Sequence, residues 1–280
     1  MLGTATIVSA LLTPTLFVDA GSTSAVAWAT TALTVLTAVA FVLRERSARH
    51  PLLDLALIAR PLVASGLAYK AAAGLVLAGV SFLVTLQLQF AWGWSPTSAA
   101  LGMLPQVLVL LAGGRLVGPF VAWVGLDRAA WFSASAVVSG LAVFTLFASS
   151  GYGWIVIALV LVAAGMRVVG VVAGNNVLRG LPANRTSVGA ALVDTSSELA
   201  TGIGITATGT VLAALFTGDI TASTWSPVQS GQFQQAIEVA GLILCAVATA
   251  LVTLGILRSR HGVSDQAPHE PAGALPAQTT

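Results

Sequence analysis

The sequence has very little charge. Only 8% of its 280 residues are Asp, Glu, Lys or Arg, whereas 56% are hydrophobic. A soluble domain of ordinary composition carries about 25% charged residues, so this composition excludes a water-soluble globular protein. It predicts an all-α protein, a polytopic bundle of helices that cross a lipid bilayer.

Residues that usually perform catalysis or bind metals are also scarce. The chain has one cysteine, Cys245, which has no partner for an internal disulfide, and its three histidines fall in loops or the tail. No phosphate-binding loop, metal-ligand spacing or nucleophile motif is present. We therefore expect no enzyme activity, no cofactor and no metal. The net charge of +2 does not indicate a nucleic-acid partner, because the arginines lie in short loops between apolar segments.

Eight apolar segments are long enough, or nearly so, to cross a bilayer. They cover residues 3–18, 25–43, 62–90, 97–121, 129–148, 153–178, 188–216 and 234–257. We divide the chain into two linker-type helices (1–43), a basic segment with an interfacial helix (44–61), a six-helix bundle (62–257) and a disordered tail (258–280). Pro105 predicts a kink in the fourth segment.

The arginines predict the orientation of these segments. They occur in alternate loops and after the eighth segment, whereas the intervening loops contain no Lys or Arg. Basic loops stay on the cytoplasmic side of a membrane. The pattern therefore predicts a multi-pass membrane protein with both termini in the cytoplasm.

Two acids lie in the seventh segment, which is otherwise apolar or built of small residues. Asp194 and Glu198 are four residues apart, so a helix places them on one face. They would lie about 9 Å and about 15 Å into the bilayer. Acids at such depth face a bundle interior or a wet cavity, where two carboxylates repel each other and titrate as a unit. Both a structural pair and a proton or cation site remain open.

Other polar residues also lie at membrane depth. Lys70 and Arg167 are expected about 13 Å and about 18 Å from the cytoplasmic ends of their segments. Because Arg167 and Glu198 have similar depths, we expect Arg167 to approach Glu198 or Asp194. Lys70 is a candidate cavity residue, with snorkelling to the interface as the alternative. Gln87 and Gln89 are either cavity residues or hydrogen-bonding partners between helices.

Three stretches of the sequence are distinctive. They read FVLRERSARHPLLDLALIARP at 41–61, LQLQFAWGWSPTSAALGMLP at 86–105 and RGLPANRTSVGAALVDTSSELATGIGITATGTV at 179–211. Together they resemble the fourteen-helix drug:proton antiporter branch of the major facilitator superfamily. The resemblance covers residues 2–257 and corresponds to the C-terminal half only. Asp194 and Glu198 match positions at which many members have an acid pair, whereas Arg167 stands where the family is rich in glycine.

The resemblance implies a proton-coupled efflux antiporter in a bacterial plasma membrane. Its expected partners are the lipid bilayer, protons and an amphipathic or cationic small molecule. The transport cavity of this superfamily lies between two halves. The first half would come from another polypeptide or from a second copy in a homodimer. The alternative is a truncated, non-transporting membrane module.

Overall fold

The computed structural model describes residues 2–20, 24–47, 55–182, 185–218, 220, 222 and 224–264. This part of the chain is helical and contains no β-strand. The α-helices are α1 (Leu2–Ala20), α2 (Ala25–Ser47), α3 (Leu55–Ala59), α4 (Pro61–Leu86), α5 (Pro96–Gly102), α6 (Leu104–Val124), α7 (Leu126–Phe147), α8 (Tyr152–Gly180), α9 (Thr186–Leu215) and α10 (Pro227–Ser264).

Six helical stretches of the described chain are long and apolar enough to cross a membrane. They correspond to the third to eighth predicted segments, and the all-α polytopic bundle is therefore confirmed. The first two predicted segments coincide with α1 and α2, which pack on each other but are not among the six. That α1 and α2 also span the membrane remains a prediction.

Helix α4 is the centre of the bundle. It packs against α8, α9 and α10, and its two ends contribute to different hydrophobic clusters. The larger cluster joins α4 to α7, α8 and α10 through fully buried side chains, among them Val80, Leu83, Phe144, Leu159 and Leu244. Because α4 is surrounded, few of its side chains can face lipid, and polar groups on it lie against other helices.

Small residues let α4 approach its neighbours closely. A Cβ atom on Gly204 of α9 would lie 2.6 Å from the Leu75 carbonyl oxygen of α4. A Cβ atom on Gly66 of α4 would lie 2.6 Å from the Ala173 carbonyl oxygen of α8. Real Cβ atoms do not come this close to backbone. Both positions therefore require glycine, and these contacts fix the register of the two helix pairs.

The arginines of several loops gather at one end of the bundle, called here the basic end. The Arg60 side chain, before α4, donates to the Gly180 carbonyl oxygen at the end of α8. Ser259 and Arg260 of α10 line a small cavity with Tyr69 and Asp127. Helix α10 continues to Ser264, so the disordered tail was predicted to begin too early, at residue 258. Residues 265–280 lie outside the described residues.

The interfacial helix predicted at 51–61 is seen only in part. Residues 51–54 lie outside the described residues, and α3 covers Leu55–Ala59. Leu57 of α3 is buried and packs with Val63, Val177 and Leu181. This short helix therefore joins the basic end of α4 to that of α8.

At the opposite end of the bundle the helical stretch is interrupted at Met103, two residues before Pro105, where a kink was predicted. Helix α5 stops at Gly102, Met103 is in a turn, and α6 starts at Leu104. Pro105 follows in the first turn of α6, where its missing N–H costs no hydrogen bond. The preceding turn uses Gly93 with a φ of +64°, which favours glycine. This turn is tied to α8 by the ring contact of Trp94 with Tyr152.

Candidate functional site

A cavity of about 640 Å³ lies among α4, α6, α8 and α9. Its size is within the range of sites for drug-sized ligands. The wall has an apolar part that includes Leu77, Leu110, Met166 and Val171. Its polar and charged lining residues are Lys70, Ser81, Arg167, Ser197, Glu198 and Thr201.

Helices α4 and α9 run parallel and set Lys70 level with Glu198. Ser196 Oγ donates to the Leu67 carbonyl oxygen at 3.0 Å, and eight residues further along each helix Gly204 meets Leu75. This register puts Lys70 opposite the turn that carries Glu198. The two side chains form no salt bridge in the described chain, although both line the cavity. Their opposite charges therefore face a shared space rather than each other.

Helix α8 runs antiparallel to α4 and carries Arg167. The contacts of Gly66 with Ala173 and of Val63 with Gly180 define this register. It places Arg167 about five residues beyond the level of Lys70, which is about 7 Å further from the basic end.

The Arg167 guanidinium is held by α6. Its Nε and Nη2 donate to the Leu110 carbonyl oxygen, and a Cβ on Gly113 would lie only 3.2 Å from its Cγ. The observed partner of Arg167 is thus a backbone carbonyl oxygen, and neither Asp194 nor Glu198 bonds to it in the described chain. That Arg167 approaches one of the two acids remains a prediction. Three of the five guanidinium N–H groups remain for other acceptors.

The two predicted acids lie in different surroundings. Glu198 lines the cavity, whereas Asp194 does not, although both side chains are exposed. Asp194 is one turn closer to the basic end of α9. A proton-coupling role for either residue remains a prediction.

The two predicted glutamines do not line this cavity. Gln87 is fully buried near the end of α4, where its Oε1 accepts a long hydrogen bond of 3.5 Å from Gln234. Its Nε2 has no partner. Gln89 is half-buried in the π-helical turn Gln87–Ala91. For Gln87, the contact between helices is therefore observed, and for both residues the cavity role is not.

A third glutamine belongs to the site and was not predicted. Gln106 of α6 is 4% exposed, and its Nε2 donates to Ser81 Oγ at 3.2 Å. Ser81 in turn lines the cavity. The available signal was a polar residue directly after Pro105 in an apolar segment. The pair links α4 to α6 beside the wall that holds Arg167.

The cavity combines two cationic groups, one acid and an apolar wall. Among its described lining residues only Lys70, Arg167 and Glu198 are charged. Such a combination suits a charged amphipathic molecule. No group of at least three His, Cys, Asp or Glu side chains that could hold a metal occurs in the part of the chain that was described.

No family model matches the sequence. The chain is 26% identical over 183 residues to the methyl viologen resistance protein SmvA of Salmonella typhimurium, covering 64% of this chain and 37% of SmvA. It is 25% identical over 234 residues to the multidrug efflux pump LfrA of Mycolicibacterium smegmatis, covering 82% and 46%. A stretch of 75 residues is 39% identical to a probable actinorhodin transporter of Streptomyces coelicolor, covering 27% and 13%.

The matched regions thus cover less than half the length of each of these relatives. All three are named for efflux, resistance or transport, and none is named as an enzyme. Together with the long apolar helices, these comparisons indicate a multi-pass membrane protein that is similar in sequence to efflux and resistance transporters.

Proposed function

We propose that this chain is the C-terminal half of a proton-coupled efflux antiporter for amphipathic small molecules. The observation that carries the proposal is the cavity that places Lys70, Arg167 and Glu198 among four long, mostly apolar helices. Charged groups in such surroundings are expensive and are kept where they serve a pathway. The resemblance of the sequence and the names of the relatives support the same class.

Glu198 is the proposed proton carrier, and Asp194 one turn away supports it. A proton on Glu198 removes its negative charge, and a cationic group of a substrate competes for the same position. Binding of one then excludes the other, which is the requirement for antiport by differential binding. Transport follows when the cavity changes sides by movement of one half against the other.

The cavity is open on the side not covered by described helices. Helix α9 carries Glu198, yet only 17% of its most apolar stretch is buried inside the structure. We propose that a complementary half, from another polypeptide or a second copy of this chain, closes that side. Helix α1 also packs on α9.

Transport can be tested on the assembly that the tagged chain forms in its native membrane. We would reconstitute it into liposomes, impose a pH gradient and follow internal pH together with uptake of a panel of cationic, zwitterionic, anionic and neutral amphipaths. We expect gradient-driven accumulation of at least one compound. Glu198→Gln should abolish it, Asp194→Asn should reduce it, and Glu198→Gln with Asp194→Asn should leave none.

The control is Glu238→Gln, which removes an exposed acid of α10 that does not line the cavity. It should leave accumulation unchanged. If the wild-type assembly accumulates none of the compounds, the chain is a non-transporting membrane module and the proposal fails. If the double variant transports like wild type, the proton site lies outside this acid pair.

A further inference from the structure

The charged residues of the cavity indicate a narrower class of ligand than amphipathic molecules in general. Two cations, Lys70 and Arg167, face one acid, Glu198. A purely cationic molecule would find one attractive group and two repulsive ones. A purely anionic molecule would be attracted by the cations and repelled by the acid. A molecule that carries both signs can satisfy all three groups.

The positions of the groups suggest how such a molecule would lie. Arg167 is about 7 Å further from the basic end than Lys70 and Glu198. Its guanidinium is anchored on the Leu110 carbonyl oxygen and keeps three free N–H groups, which suit a carboxylate. Lys70 and Glu198 lie at one level of the cavity wall and form no salt bridge with each other in the described chain. An ammonium group can therefore reach Glu198 without displacing an existing ion pair.

The apolar lining completes the match. Leu77, Ala78, Met166 and Val171 lie beside the charged groups, so an aromatic or aliphatic body can remain out of water. The volume of about 640 Å³ is ample for one such molecule.

We propose that the cavity binds a zwitterionic amphipath, with its anionic group on Arg167 and Lys70 and its cationic group on Glu198. This inference rests on the proposed function and narrows its substrate class. It also preserves antiport, because the cationic group of the ligand and the proton compete for Glu198. A zwitterionic lipid headgroup has the same chemistry as a free zwitterionic ligand, so the test has to separate the two sources.

Four probes share one aromatic body and differ only in charge. They are 2-naphthylalanine (zwitterion), its carboxamide (cation), its N-acetyl derivative (anion) and the N-acetyl carboxamide (neutral). Their affinities would be measured by calorimetry on the purified assembly in uncharged maltoside micelles, at equal pH and without a gradient. We expect the zwitterion to bind most tightly, and the loss of either charge to weaken binding about tenfold.

Variants should separate the two ends of the ligand. Lys70→Met should weaken only the probes that carry a carboxylate, and Glu198→Gln only those that carry an ammonium. Arg167→Lys keeps the charge but removes the planar donors, and should weaken the carboxylate probes less than Arg167→Gln does. Arg115→Gln, which changes an exposed arginine of α6 outside the cavity lining, is the matched control and should change nothing.

Several results would overturn the proposal. Tighter binding of the carboxamide than of the zwitterion would contradict it. Losses on Lys70→Met or Glu198→Gln that are equal for all four probes would refute the assigned contacts. Absence of binding by every probe would also refute it. Binding of short-chain phosphatidylethanolamine with none by naphthylalanine would assign the site to lipid instead. The expected binding pattern without gradient-driven transport would contradict only the proposed function.

Discussion

Two helix pairs in this bundle have similarly close backbone contacts but differ in the charged side chains beside them. In the seam between α7 and α8, a Cβ on Gly165 would lie 2.8 Å from the Ser133 carbonyl oxygen, and one on Gly140 would lie 3.0 Å from that of Ala158. The seam between α4 and α9 is equally tight at Gly204. Only the second seam opens into a cavity with charged side chains. Close packing by glycine therefore holds helices together in both places, and the charges alone distinguish the candidate site.

Helix α8 takes part in both regions and allows the sharpest contrast. Gly165 faces α7, whereas Gly170 lines the cavity and has no atom within 4 Å of an added Cβ. We expect Gly165→Leu to lower the free energy of unfolding by about 3 kcal/mol or more, because backbone of α7 would have to move. Gly170→Leu should change it by less than about 1 kcal/mol.

Unfolding of both variants can be followed by titration with a denaturing detergent in mixed micelles. Gly170→Leu should nevertheless weaken naphthylalanine binding at least tenfold, because the leucine fills the cavity. Gly118→Leu, at an open position on α6 outside the cavity lining, controls for adding a leucine to a helix. Equal stabilities of the Gly165→Leu and Gly170→Leu proteins would remove the distinction between seam and cavity.

A smaller loss of stability is expected from glycine substitutions within α9. A Cβ on Gly204 would lie 2.6 Å from the Leu75 carbonyl oxygen, whereas one on Gly209 meets only Phe82 at 4.0 Å. We expect Gly204→Ala to cost about 1–3 kcal/mol of unfolding free energy. Gly209→Ala should be neutral or stabilise the protein by up to about 1 kcal/mol, because alanine favours a helix. The same detergent titration measures both, and a Gly204→Ala protein as stable as Gly209→Ala would show that the seam is looser than described.

Much of the fold could be predicted because the length of each apolar segment can be counted in the sequence and compared with the thickness of a bilayer. The third to eighth predicted segments match the six long apolar helices. The end of α10 could not be predicted, because Ser259 and Arg260 look like the start of a polar tail. In the structure both belong to α10 and line a cavity with Tyr69 and Asp127, which are distant in sequence.

Of the residues that line the cavity, only the charged ones could be predicted from the sequence. Lys70, Arg167 and Glu198 stand out in the sequence because charge is rare in apolar segments, and all three line one cavity. The partner of Arg167 could not be predicted, because it is the backbone carbonyl oxygen of Leu110, and every residue type carries the same group. That Glu198 lines the cavity and Asp194 does not depends on where α4 crosses α9. The four-residue spacing of the two acids does not predict that crossing point.

The most direct test asks whether Lys70 and Glu198 line one accessible cavity. In a protein with Cys245→Ala, the paired changes Lys70→Cys and Glu198→Cys would be treated with a small charged thiol reagent and, separately, with a short bifunctional one. We expect both cysteines to be labelled and to be cross-linked, as identified by mass spectrometry. The control pairs Lys70→Cys with Ile203→Cys, an exposed position of α9 outside the cavity lining, and should not cross-link. Cross-linking of the control but not of the first pair would contradict the shared cavity.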